Sequence, residues 1–86
     1  MPEVSRFFGI IILIYYNDHP PPHFHVRYGE QRAILDMNTL TILEGSLKPR
    51  ALGLVVEWAF MHKGELLEDW ERARRPEPLE RIAPLE

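Results

Sequence analysis

Apolar and polar positions follow two regimes along the chain, near-continuous or alternating up to residue 45 and helically periodic from Ser46 onward. The stretch "RFFGIIILIYY" (residues 6–16) is rich in β-branched and aromatic side chains and almost unbroken in apolarity. That pattern predicts a strand buried on both faces, the central strand of a sheet. "HFHVRY" alternates cleanly, with Phe24, Val26 and Tyr28 on one face and His23, His25 and Arg27 on the other. "QRAILDM" follows after only Gly29 and Glu30, and a two-residue loop opening with glycine predicts a type II′ hairpin, because its first central position needs φ > 0. "LTILEG" reads as a short fourth strand.

From Ser46 the period becomes helical, with Ser46 as the expected N-cap, Pro49 in the first turn and Pro76 as the stop. Leu52, Val56, Ala59, Leu66, Trp70 and Ala73 form one apolar stripe. Leu54, Trp58 and Met61 lie off it, so the first half of the helix is apolar over most of its circumference. Those three residues need a cover: either the C-terminal tail, or a second copy or partner for which they form the interface. Gly64 costs about 1 kcal/mol relative to alanine and marks the expected point of any break. The tail "PEPLERIAPLE" is too rich in proline for helix, and Leu79, Ile82 and Leu85 anchor it as an extended segment. The expectation is a single α+β domain over residues 1–86. Three or four antiparallel strands within 4–44, including a 23–28/31–37 hairpin, pack on one long helix over about 47–74, followed by an extended tail over 76–86.

Composition narrows the function classes. Apolar residues make up 45% and charged residues 27%, an ordinary globular balance. Cysteine is absent, which excludes disulfides and thiolate chemistry and points to a reducing, cytoplasmic compartment. The longest apolar run is half the roughly 20 residues that a membrane span requires, and it lacks a small-residue cleavage site. Net charge is −3, with six acids and six bases in residues 1–64 but seven acids and four bases in 65–86, so no broad nucleic-acid surface is indicated.

The segment "DHPPPHFHVRYGE" (residues 18–30) carries three of the four histidines and raises the question of a site. With Gly29 and Glu30 in the turn, Arg27 lies opposite Arg32, His25 opposite Ile34 and His23 opposite Asp36. One reading is structural: the prolines stiffen an edge, His23 pairs with Asp36 and the arginines are a solvated face. A second is a metal site, in which His23 and His25, roughly 6–7 Å apart on one face, are joined by Asp18, His19 or Asp36 to hold zinc or another divalent transition metal. Its weak member is His19, which a polyproline stretch holds away from His23 unless an X-Pro bond is cis or the chain turns. The third is metal-free acid–base chemistry on an anionic substrate such as RNA. There His23 and His25 move protons, Asp36 orients them, Arg27 and Arg32 hold phosphate, and the substrate's own hydroxyl attacks. His62 is read as a boundary residue without a role.

The opening "MPEVSRFFGIIILIYYNDHPPPHFHVRYGE", the block "LEGSLKPRALGLVVEWAFMHKGELLEDW" and the closing "PLERIAPL" resemble the short bacterial family known as domain of unknown function 4160. The resemblance covers almost the whole chain. It implies no established activity, but by gene arrangement it implies half of a two-gene, toxin–antitoxin-like module. The cognate partner would be a small protein resembling the family domain of unknown function 2442. One position departs from the pattern: Leu13 stands where similar sequences are expected to carry a polar or basic residue, which implies a more fully covered first strand and strengthens the expectation of a partner or homodimer.

Overall fold

The computed structural model describes residues 2–86. Five strands form one antiparallel sheet in chain order: β1 (Glu3–Phe7), β2 (Ile10–Leu13), β3 (His23–Tyr28), β4 (Gln31–Asp36) and β5 (Ile42–Gly45). Two helices follow, α1 (Pro49–Met61) and α2 (Lys63–Arg74). The α+β class holds, with one strand and one helix more than the sequence pattern predicts.

The additional strand comes from the apolar run, which is a hairpin and not a single central strand. Phe8 and Gly9 sit at φ of 50° and 80°, the pair of positive values that a type I′ turn demands, and Phe7 pairs with Ile10 across it. Gly9 tolerates that conformation, while Phe8 occupies it at a cost. The turn was hidden because its first position carries an apolar residue where asparagine or aspartate would be expected. β1 therefore lies at the sheet edge, and β3 takes the centre.

The second hairpin has the predicted register: Tyr28 pairs with Gln31, Val26 with Ala33, Phe24 with Leu35, and His23 with Asp36. Gly29 alone carries positive φ in that turn, at 59°. At the far edge Gly45, with φ of 81°, lies so close to β4 that a Cβ would come within 2.1 Å of the Arg32 carbonyl oxygen, so only glycine lets β5 pair there.

Ile10, Ile12, Phe24, Val26, Ala33 and Leu35 bury one sheet face against the helices. Helix α1 starts at Pro49, with Lys48 and not Ser46 in the cap position; no side chain caps it, and the Lys48 N–H donates to Gln31 Oε1. The helix breaks at His62 (φ −121°, ψ 24°), not at Gly64. The His62 N–H still reaches the carbonyls of Trp58 and Ala59, while its imidazole bonds Glu65 at 2.6 Å. Within α1 it is Ala51, Val55, Trp58 and Ala59 that face inward, and the predicted Leu52 and Val56 are only half-buried. An almost wholly apolar helix surface does not by itself choose a buried face.

The tail covers Trp58 and closes the core, while Phe60 and Met61 stay exposed. Ile82 is buried, its N–H donates to the Val4 carbonyl, and the Trp58 indole N–H donates to the Ala83 carbonyl at 2.8 Å. Asp69, fully buried on α2, holds this segment by accepting from the Glu80 N–H and Arg72 Nη1, both at 2.8 Å. Arg81 reaches back to Glu3 on β1.

Three outcomes follow from this packing. Asp69→Ala leaves the Glu80 N–H and the Arg72 guanidinium without their acceptor, and should destabilise the fold by about 1–3 kcal/mol in urea denaturation, with Trp58 emission reporting a loosened tail. Phe8→Asn should raise stability by about 1 kcal/mol in the same assay, because asparagine accepts the left-handed conformation more readily and Phe8 is largely exposed. Hydrogen bonds from Arg6 and then Arg81 lower the Glu3 carboxyl from its ordinary 4.5 to about 2. Because the folded value is depressed, this contribution is present above pH 4.5 and lost as pH falls toward 2. Glu3→Gln should flatten the stability profile within that window, measured by thermal unfolding at stepped pH.

Candidate functional site

The sheet face opposite the one that buries Phe24 and Val26 carries His23, His25 and Arg27 from β3 with Arg32, Ile34 and Asp36 from β4. Alternation along β3 puts them there, because Phe24 and Val26 take the core. Over the His23 end of this face folds the loop 14–22, in which the Pro20–Pro21 peptide is cis. The loop is tied at both ends: the Asn17 N–H donates to the Ala73 carbonyl of α2, and the Met37 N–H donates to the Pro22 carbonyl.

The loop delivers Asp18 to the two histidines. His23 Nε2 lies 2.9 Å and His25 Nε2 3.2 Å from the same oxygen, Asp18 Oδ2. The other oxygen accepts the His19 N–H at 2.9 Å. His23 Nδ1 is 2.7 Å from the Pro21 carbonyl and donates to it, since a carbonyl can only accept. His23 is buried and lies against Trp70 of α2 with ring centroids 5.0 Å apart. His25 is half-buried and meets the edge of Tyr15 at 4.5 Å. Burial tends to raise the Asp18 carboxyl, but the bonds from His19, His25 and His23 outweigh it and hold it below the ordinary carboxylate value.

This arrangement has a chemical consequence. An ionised Asp18 accepts only, so its bonds to His23 and His25 require a proton on each Nε2, and His23 must then carry protons on both ring nitrogens. A cation placed among the three groups removes that demand: each Nε2 offers its lone pair, and His23 keeps its Nδ1–H on the Pro21 carbonyl. That carbonyl contact fixes the tautomer as outer-shell partners of metal-ligating histidines do. The ligand atoms of Asp18, His23 and His25 all lie within 4.8 Å of one another.

The predicted members divide accordingly. Asp18, His23 and His25 come together, whereas His19 contributes its backbone N–H, and no contact links its ring to the cluster among the described residues. Asp36, opposite His23 in the ladder, turns its carboxylate to the N–H groups of Asn38 and Thr39 at 2.7 and 2.9 Å. These bonds, that from Thr39 foremost, hold its carboxyl below the ordinary carboxylate value. Its place is a turn-forming one that "DMNT" signals in sequence. The His23–Asp36 hydrogen bond expected from cross-strand position is thus replaced by one to Asp18. Tyr15, Trp70 and the Pro21 carbonyl were not anticipated, and only the fold brings them to the histidines.

Arg27 and Arg32 are exposed, face each other across the ladder, and join no ion pair among the described residues. They line a cleft of about 210 Å³ together with Leu13, Tyr15, His25 and Glu44. Leu13 is buried at its floor, as its apolar character implies. On the other side of the molecule, the tail covers Trp58, Leu54 is half-buried, and Met61 is exposed beside Phe60. Among the described residues no helix is long and apolar enough to cross a membrane.

No match to the chain was found among curated proteins or among solved structures. One family model does match, described as domain of unknown function (DUF4160), over residues 9–71, which takes in β2, the Asp18 loop, the β3–β4 hairpin and most of the helical region. The chain belongs to the DUF4160 family of domains of unknown function.

Proposed function

We propose that the protein is a metal-binding module that takes one divalent transition metal on Asp18, His23 and His25. The observation that carries this reading is the convergence of two imidazole Nε2 atoms on one carboxylate oxygen, with the second nitrogen of His23 already committed to a backbone carbonyl. Two imidazoles and a carboxylate suit zinc, iron, nickel or copper, and three protein ligands leave coordination positions for a further group. The cleft lined by His25 adjoins those positions, so the metal is accessible to a small ligand. The polypeptide supplies rigidity: Trp70 against His23, Tyr15 against His25, and the loop bonds to α2 limit how far each ligand moves.

Metal exchange for protons supplies the test. Protein purified without a histidine tag and stripped with a chelator should take up one zinc per chain with release of protons, and uptake should weaken as the solution is made more acidic, because protons compete for the ligand atoms. Asp18→Asn, His23→Ala and His25→Ala should each weaken zinc binding by about 10-fold or more, whereas Asp36→Asn should leave it unchanged. Loss of binding in Asp36→Asn but not in Asp18→Asn would exclude this ligand set. RNA cleavage that survives chelation and disappears in His23→Ala would replace the reading with an acid–base one, in which the chain acts as half of a toxin–antitoxin-like module.

A further inference from the structure

The Arg27–Arg32 pair is unexplained by a metal site alone. Two guanidinium groups directly opposite on one ladder repel each other, and a sheet carries such a pair at a cost unless an anion sits between them. Among the described residues neither forms an ion pair: the Glu44 carboxylate lines the same cleft but pairs with neither. His25 belongs to both features, facing Asp18 with its Nε2 and lining the cleft with its ring. Arg27 follows it by two residues on the same face, roughly 6–7 Å along the strand, a distance that an arginine side chain spans.

We propose that this cleft binds a small phosphomonoester, with the phosphoryl dianion held by Arg27 and Arg32 and one of its oxygens completing the coordination of the metal on Asp18, His23 and His25. The proposal rests on the metal reading above and names the ligand class for that site. Charge selects the phosphoryl group. Two guanidinium groups and a divalent cation, set against the carboxylates of Asp18 and Glu44, leave an excess of positive charge that a dianion balances and a monocarboxylate does not. Guanidinium geometry favours the same choice, since its paired N–H donors match two phosphoryl oxygens. The walls supplied by Leu13, Tyr15 and Ile34 are largely apolar, and a cleft of about 210 Å³ leaves room beside the phosphate for a compact organic substituent.

The experiment uses the full chain loaded with zinc and two probes of similar shape, phenyl phosphate and benzoate. Metal content is measured first, in the wild type and in the Arg27→Gln, Arg32→Gln double variant, which leaves every proposed metal ligand in place. Phenyl phosphate should then shift the Arg27 and Arg32 side-chain NMR signals and bind the double variant about tenfold or more weakly, the loss expected for charge-assisted hydrogen bonds. Removing zinc should weaken it to a similar degree, and benzoate should bind at least about tenfold more weakly than phenyl phosphate. Stoichiometric zinc with phenyl phosphate binding that ignores both the double substitution and the metal would overturn the proposal and leave the metal site standing. Equal binding of benzoate would overturn the choice of a phosphoryl dianion. Failure of the wild type to hold zinc would remove the joint site together with the metal reading, and the metal analysis shows this before any probe is added.

Discussion

A two-residue turn at Gly29 and Glu30 sets the geometry of everything else in this protein. Because side chains alternate along a strand, a slip of one residue in the β3–β4 pairing would send His23 and His25 into the core and Phe24 and Val26 into water. Gly29 accepts the positive φ that the tight turn needs, and burial of Phe24, Val26, Ala33 and Leu35 makes every other register costly. One local backbone constraint thereby divides the molecule into a face that packs on helices and a face that presents nitrogen donors and guanidinium groups.

The two faces are not independent. Trp70 of α2 lies against His23, and the carbonyl of Ala73 receives the N–H of Asn17, so the helix layer also positions the loop that carries Asp18. The tail in turn ties down both helices, α2 through Asp69 and the Glu80 N–H and α1 through the Trp58–Ala83 bond. An extended segment with three apolar anchors thus completes a core that one sheet and two short helices leave open. On either side of the break at His62, α1 buries Ala51, Val55, Trp58 and Ala59, and α2 buries Leu66, Asp69, Trp70 and Ala73.

The electrostatics of the open face follow from the same arrangement. Among the described residues Asp18 is the one carboxylate within hydrogen-bond distance of both histidines, Asp36 is consumed by its own turn, and Glu44 lines the cleft without an ion pair. A buried histidine with both ring nitrogens facing acceptors is a demanding arrangement in the absence of a cation, and an arginine pair without an acid is demanding in the absence of an anion. The Asp18–histidine cluster and the arginine-lined cleft lie side by side, sharing His25.

Periodicity alone determined the α+β class, the β3–β4 register, the placement of His23, His25, Arg27 and Arg32 on one face, and the anchoring residues of the tail, because each depends on local alternation and turn chemistry. It did not determine the Phe8–Gly9 turn, where an aromatic residue occupies a conformation that sequence rules assign to glycine and asparagine. The choice of Asp18 over Asp36 was likewise not legible. Opposition in a ladder fixes Cα positions but not the direction of a carboxylate, and Asp36 found backbone N–H groups nearer than the imidazole. Nor could the sequence choose the inward face of α1 or the point of its break, since an almost wholly apolar surface is satisfied in several orientations. Those choices fell to tertiary packing, which alone brings together groups distant in the chain: Trp70 with His23, Ala83 with Trp58, and the Glu80 N–H with the buried carboxylate of Asp69.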